Sequence, residues 1–315
     1  MRTASLLRLA AFVVVIAGVA TVATLPLRGA DKRIVLIAGR PSHPPGMHEF
    51  RAGSLLLQKA LSGVSGVTVQ VYDGGWPSKM VDGAKVDDNS ALDNADAVLI
   101  YADGGKGNPA IQRDHSAVLD ALAAKGVGLG FGHYGVEVPA GVPGETFQKW
   151  IGGYYETNWS VNPMWKPDFT KFPNHPITRG VGPFATHDEW YFNMRWAPEA
   201  ALKGRFTPIL VATPSDEVRK GPYVSPRGPY DHIIAASGRQ ETMMWVLERP
   251  DGGRSFGFTG GHTHANWGDV NQRRVMLNAL LWIAKVEVPK GGVQDTITAE
   301  DLTKNLDEKP PRKQQ

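Results

Sequence analysis

The chain has 315 residues, 42% of them apolar, which is enough to bury a large core in one α/β domain. Its formal charge of +3 comes from Arg2, Arg8 and Arg28 in a first segment without Asp, Glu or Lys. With these three of the 34 basic residues set aside, the rest match the 31 acidic ones, so a nucleic-acid partner has no support. The absence of Cys excludes disulfides, a lipid-bearing thiol and a thiol nucleophile.

In chain order, residues 1–30 have the anatomy of an export signal: Arg2 and Arg8, an apolar run over 9–23, then small residues, with Ala23 or Ala30 as the last residue removed. If the segment is retained, residues 9–27 are just long enough to anchor the chain in a hydrocarbon layer of ~30 Å. The expected location is therefore periplasmic or extracellular, or membrane-anchored if the signal is uncleaved. A domain is expected over 31–288. Residues 33–38 form the first strand, and 49–61 place Phe50, Gly53, Leu56, Leu57, Ala60 and Leu61 at helical spacing before Gly63. Strands follow at 67–72 and 95–101, a helix at 111–125 and a buried strand at 127–131.

Periodicity weakens over 135–207, where Trp150, Tyr154, Tyr155, Trp159, Trp165, Trp190, Tyr191 and Trp196 crowd together. Such a stretch builds a cap or long loops around a pocket, and aromatic faces suit sugar rings; equally, these side chains can pack against the sheet. Strands resume at 208–212, 242–248 and 254–259, and a helix over 270–284 closes the domain. After Pro289 the chain is polar and is expected to be a disordered tail, 289–315. Strands alternating with helices predict an α/β fold: a mostly parallel sheet covered on both faces.

Three segments carrying histidine follow predicted strands. They are Ser42-His43 with His48, Gly132-His133, and Gly261-His262-Thr263-His264. Open α/β sheets bind ligands at this edge, so several imidazoles are expected on one rim. Three roles fit them. His43 and His48, with His133 and His262 or His264 and helped by Asp188 or Glu189, could bind a divalent metal such as zinc. One could instead act as general acid or base, or all could simply cap helices and bond loop backbone. In an extended Asp188-Glu189 pair only one carboxylate faces the pocket, and Glu189 is the choice; Asp103, after the strand at 95–101, is the second acid. His115 is expected on a helix surface and His175 in a structural turn, while His232 is open between the two. The run Asp103-Gly104-Gly105-Lys106-Gly107 lacks both common phosphate-loop patterns, so no nucleotide is expected.

Ser42-His43 with His48, Gly132-His133, Asn174-His175-Pro176-Ile177, Asp188-Glu189-Trp190-Tyr191 and Gly260-Gly261-His262 together resemble the ThuA-like, or trehalose-utilisation, family over residues 32–286. The resemblance implies a flavodoxin-like fold related to class I glutamine amidotransferases, with an altered active site and a link to sugar metabolism. Those amidotransferases place a Cys on a strained strand-to-helix turn. Here that turn is Gly130-Phe131-Gly132-His133-Tyr134-Gly135, where Gly or His takes the nucleophile's place and thioester chemistry is excluded. The expected activity is hydrolysis or isomerisation of a carbohydrate or modified sugar. His133, His262, Glu189 and Asp103 are the expected catalytic residues, and Trp159, Trp190, Tyr191 and Trp267 the expected substrate contacts. His43, His48 and His264 are the expected metal ligands. The alternative is a noncatalytic sugar-binding or structural module.

Overall fold

The computed structural model describes residues 31–310; the expected export signal lies outside the described residues. The main sheet is built from β1 (Lys32–Ala38), β2 (Val67–Tyr72), β5 (Ala97–Tyr101), β6 (Gly128–Gly132), β11 (Phe206–Ala212), β12 (Glu241–Glu248) and β13 (Arg254–Phe258). A hairpin of β3 (Ser78–Val81) and β4 (Ala84–Asp87) follows β2. Four two-residue strands lie between β6 and β11: β7 (Gly153–Tyr154), β8 (Met164–Trp165), β9 (Asp188–Glu189) and β10 (Arg195–Trp196).

The seven strands run in the order β11-β12-β13-β6-β5-β1-β2. All neighbours from β2 to β13 are parallel, while β12 runs against both β13 and β11. This is the mostly parallel, flavodoxin-like α/β sheet expected from the alternation of elements. Pro208 lies in β11, at an edge of the sheet, where a missing N–H is tolerated.

Strand alternation divides the core in two. Ile34, Leu36, Leu99 and Tyr101 face one side with α1 (Phe50–Leu61) and the last long helix (Val270–Ile283); Val35, Ile37, Val98 and Ile100 face the other with α2 (His115–Ala124) and α3 (Val142–Ile151). Three short helices, α4 (Glu199–Leu202), α5 (Asp216–Lys220) and α6 (Asp231–Ile234), precede that last helix, which is α7. Asp269 caps α7 by accepting from the N–H groups of Asn271 and Gln272, both at 2.9 Å. The chain from Ile283 passes so close to β6 that a Cβ on Gly128 would lie 2.3 Å from the Ile283 carbonyl oxygen.

Two sequence expectations are corrected. His115 is buried: its ring stacks on Trp76 at 3.9 Å, Nε2 reaches Asp87 at 2.8 Å and Nδ1 faces the Pro109 carbonyl at 2.6 Å. The polar segment after Pro289 is packed as far as the described residues run. Val293 is buried, Asp295 pairs with Arg273 of α7 at 2.9 Å, and Asp301 pairs with Lys59 of α1 at 2.6 Å. Its charges are matched to bases on the helices, a complementarity that composition alone does not reveal. Among the described residues, no helix is long and apolar enough to cross a membrane.

Candidate metal centre

Parallel strands end on one edge, and the chain leaves β1 and β5 toward opposite faces, opening the crevice where such sheets place ligands. His48 follows β1, Asp103 follows β5, His133 follows β6 and His262 follows β13. Glu189 arrives from the insertion, on β9. Four donor atoms converge there. His48 Nε2 lies 2.9 Å from His262 Nδ1 and 3.0 Å from His133 Nε2, and the last two are 3.3 Å apart. Glu189 Oε2 lies 2.6 Å from His262 Nδ1 and 3.7 Å from His133 Nε2. All four side chains are buried, and together they could hold a metal ion.

Hydrogen-bond partners fix two of the ring tautomers. His133 Nδ1 faces the Thr259 carbonyl at 2.9 Å; a carbonyl only accepts, so Nδ1 carries the proton and Nε2 presents a lone pair. Asp103 Oδ1 accepts from Ser42 Oγ at 2.8 Å and from His48 Nδ1 at 3.0 Å, so His48 Nε2 presents a lone pair too. Burial holds both rings neutral by pushing their pKa values well below the usual histidine value, and neighbouring imidazoles add to the effect. Two lone pairs 3.0 Å apart repel unless a cation lies between them. Burial also raises the Glu189 pKa, against the lowering effect of His262.

The backbone supports the same reading. His48 and His133 both have φ of 48°, and His43 has 63°, a left-handed conformation that only a few per cent of residues other than Gly adopt. His133 follows β6 directly and starts a helical turn, so it occupies the strained elbow that the sequence left between Gly and His. Asp188, the neighbour of Glu189, points the other way, as alternation requires. It accepts from Gly261 N at 2.8 Å and Thr263 N at 2.9 Å and so holds the loop that carries His262.

The other sequence candidates divide. Asp103 lies behind His48, on the far side of the ring from the four donors, where it orients rather than joins the cluster. His43 is exposed and lies over the His48 ring at 3.6 Å. His264 is buried, with Glu49 and Leu302 as its neighbours, and lies outside the four-donor group. Among the described residues, His48, His133, His262 and Glu189 form one group that could hold a metal ion and His43, His48 and Asp103 form another, while His264 belongs to neither. Tyr191 does reach the centre, its hydroxyl 3.2 Å from His133 Nε2. Trp190 and Trp267 do not offer open faces: they are core residues, against Phe169 and Phe258 for Trp190 and Tyr101 and Phe258 for Trp267. Trp159 is stacked by His232 and covered by the Arg195 guanidinium at 3.7 Å. The segment is aromatic because it packs, and packing consumes the faces a sugar would need.

Sequence reasoning missed Tyr134, Glu137 and Tyr155. A Cβ at Gly105, just after Asp103, would lie 3.7 Å from Glu137 Oε1 and 3.8 Å from the Tyr134 hydroxyl, so both groups meet beside this turn. Burial pushes the Glu137 carboxyl up to about 7, with Glu189 adding to the shift. The Tyr155 hydroxyl is buried and has no hydrogen-bond partner among the described residues. A cleft of about 590 Å³, lined by Gly39, Trp76, Asp103, Arg113 and His115 among others, opens on the other side of Asp103. A second cavity of about 600 Å³, lined by Lys32, Asp96, Val127 and Lys285, lies at the opposite end of the strands and takes no part.

The sequence profile described as ThuA, trehalose utilisation, matches residues 73–283. No curated protein sequence matches the chain. Among solved structures, a ThuA-like protein from Bacteroides uniformis ATCC 8492 is similar at a TM-score of 0.54 and 14% identity, over 81% of this chain and 91% of that one. The mmIFT52 N-terminal domain scores 0.42 at 11% identity, over 82% of this chain and 100% of that one, too low for an argument from fold. The profile covers two thirds of the sequence and ends within α7, so the chain belongs to the ThuA, or trehalose-utilisation, family.

Proposed function

We propose that the protein is a metal-dependent enzyme acting on a carbohydrate or modified sugar, by hydrolysis or isomerisation, with His48, His133, His262 and Glu189 as ligands. The observation that carries this reading is the convergence of four buried donors, two of them lone pairs facing each other at 3.0 Å. Neutral imidazoles with one carboxylate suit zinc and its neighbours. When bound, such an ion supplies Lewis-acid polarisation of a sugar oxygen.

The chain's own residues supply the rest. Asp103 and the Thr259 carbonyl hold two imidazoles in the ligating tautomer, as outer partners of metal-bound histidines do. Glu137, with its proton held to about pH 7, suits proton transfer near neutrality. The Tyr155 hydroxyl suits a polar ligand group. The module reading is weaker, because Trp159, Trp190 and Trp267 have their faces covered. Export through residues 1–30 accompanies the proposal, and amino-terminal sequencing of secreted protein tests it.

The test is elemental analysis of the purified chain, followed by a screen of neutral, acidic and oxidised sugars with stripped and metal-loaded protein. Stoichiometric metal, and turnover only in the loaded form, is the expected result. Absence of metal after incubation with zinc, manganese or cobalt would overturn the assignment.

A further inference from the structure

Resting on the metal reading above, we infer that the carboxyl-terminal segment is a working part of the centre and that Lys309 is a positioning residue for His48. Lys309 is buried, its side chain only 2% exposed, which is rare for a lysine and demands partners. Its ammonium group has three within hydrogen-bond reach, the Met47 carbonyl at 2.6 Å, the His48 carbonyl at 3.2 Å and Glu49 Oε1 at 3.1 Å, and Asp307 Oδ2 lies further off at 3.8 Å. The first three match its three N–H bonds. They belong to three consecutive residues centred on a proposed ligand.

That placement matters because of the His48 backbone. A left-handed histidine persists only where its surroundings over-determine it. The His48 N–H donates to the His262 carbonyl at 2.9 Å, tying two ligand loops together. Its own carbonyl is held by Lys309, and its ring by Asp103. Glu49 completes the clamp, accepting from Gly46 N at 2.9 Å through one oxygen and from Asp307 N at 2.8 Å through the other. Beyond the clamp, the strap is fastened along α1 and α7 by Lys59–Asp301 and Arg273–Asp295, and by Arg51 donating to the Asn305 carbonyl. The last described part of the chain thus closes over the loop that follows the first strand. Without it, the strained turn would relax and Nε2 of His48 would leave the position shared with His133 and His262.

The experiment titrates cobalt(II) and zinc(II) into metal-free full-length protein, by visible absorption and chelator competition respectively. It compares the wild type with Lys309→Met, the double variant Glu49→Gln/Lys309→Met, and Lys59→Met. The double variant removes the Glu49 and Lys309 charges together; the Asp307 carboxyl that stays behind is already pushed by burial toward its neutral form. Lys59→Met removes one ion pair of the strap far from His48 and leaves the contacts of Lys309 in place. We expect both Lys309 variants to stay folded by circular dichroism, to bind metal 10- to 100-fold more weakly, the range for outer-sphere partners, and to show an altered cobalt spectrum. Lys59→Met should keep wild-type affinity and spectrum. A folded double variant with unchanged affinity and spectrum would overturn the positioning role. Failure of the wild type itself to bind either ion would instead overturn the metal reading on which the inference rests.

Discussion

Glu137→Gln should stabilise the metal-free protein, and by an amount that grows with pH. In the folded chain the carboxyl is partly buried and keeps its proton to about pH 7, against 4.5 ordinarily. A raised carboxyl pKa means that the folded state binds the proton more tightly than the unfolded state. Stability is therefore whole below pH 4.5, falls as pH rises through the window from 4.5 to 7, and levels off above it. At ~1.4 kcal/mol per pH unit of separation, the loss is about 1 kcal/mol at pH 5 and about 3 kcal/mol by pH 8. Glutamine cannot ionise, and its amide oxygen can still accept the Thr157 hydroxyl, now 3.1 Å from Oε1. Urea unfolding of both proteins at pH 5, 6, 7 and 8, in the presence of a chelator, measures the difference directly. A difference that stays constant with pH, or shrinks as pH rises, would refute the assignment of a buried, proton-holding carboxyl at this position.

Asp103→Asn should leave the protein folded but weaken zinc binding by about 10- to 100-fold, since the amide no longer enforces the His48 tautomer; unchanged affinity in chelator competition would remove Asp103 from the centre. Trp282→Ala should cost on the order of 3 to 5 kcal/mol, because the ring is buried, packs against His175 and lies under the Arg254 guanidinium; an unshifted urea midpoint would contradict that placement. His115→Ala should destabilise by about 1 to 3 kcal/mol through loss of its bonds to Asp87 and Pro109, read by the same unfolding assay, whereas a surface histidine would give no change.

What was legible in the sequence follows from where local pattern and tertiary structure agree. β2 matches its predicted limits, and α1 and α7 begin or end within one residue, because their apolar spacing is the spacing of the buried face. The hairpin of β3 and β4 was missed although its turn carries a clear local sign: Asp82-Gly83 with φ of 49° and 80°, both positive as a two-residue hairpin requires. α3 was hidden inside an aromatic segment that displayed no strong period. At the centre, the strand-exit rule found His48, His133 and His262, since topology alone brings those loops to one edge. It could not separate His43 from His48, or His264 from His262, because the direction of each ring depends on partners up to 214 residues away. Lys309 gave no local sign at all: a lysine in a polar run reads as solvated until Glu49 and the two carbonyls are found around it.

The position of His133 joins fold and chemistry. In hydrolases with a nucleophile elbow, a sharp turn after a buried strand lifts the nucleophile out of the sheet on a strained backbone. Here a strand-to-helix turn, strained at φ of 48°, carries an imidazole whose Nδ1 is tied to Thr259 and whose Nε2 is aimed at His48 and His262. A turn shaped to present one reactive atom also serves to present one ligating atom, since both tasks need a short side chain held at a fixed angle above the sheet. The partners had to change with it. A lone imidazole there would need only a nearby acid or base, whereas three buried imidazoles and a buried carboxylate whose donor atoms lie within 4.8 Å of one another could hold a metal ion, as proposed above. The two tautomers held from behind leave both Nε2 lone pairs to accept from a neighbour, His262 Nδ1 for His48 and the Tyr191 hydroxyl for His133, or to share a cation, and metal titration separates the two.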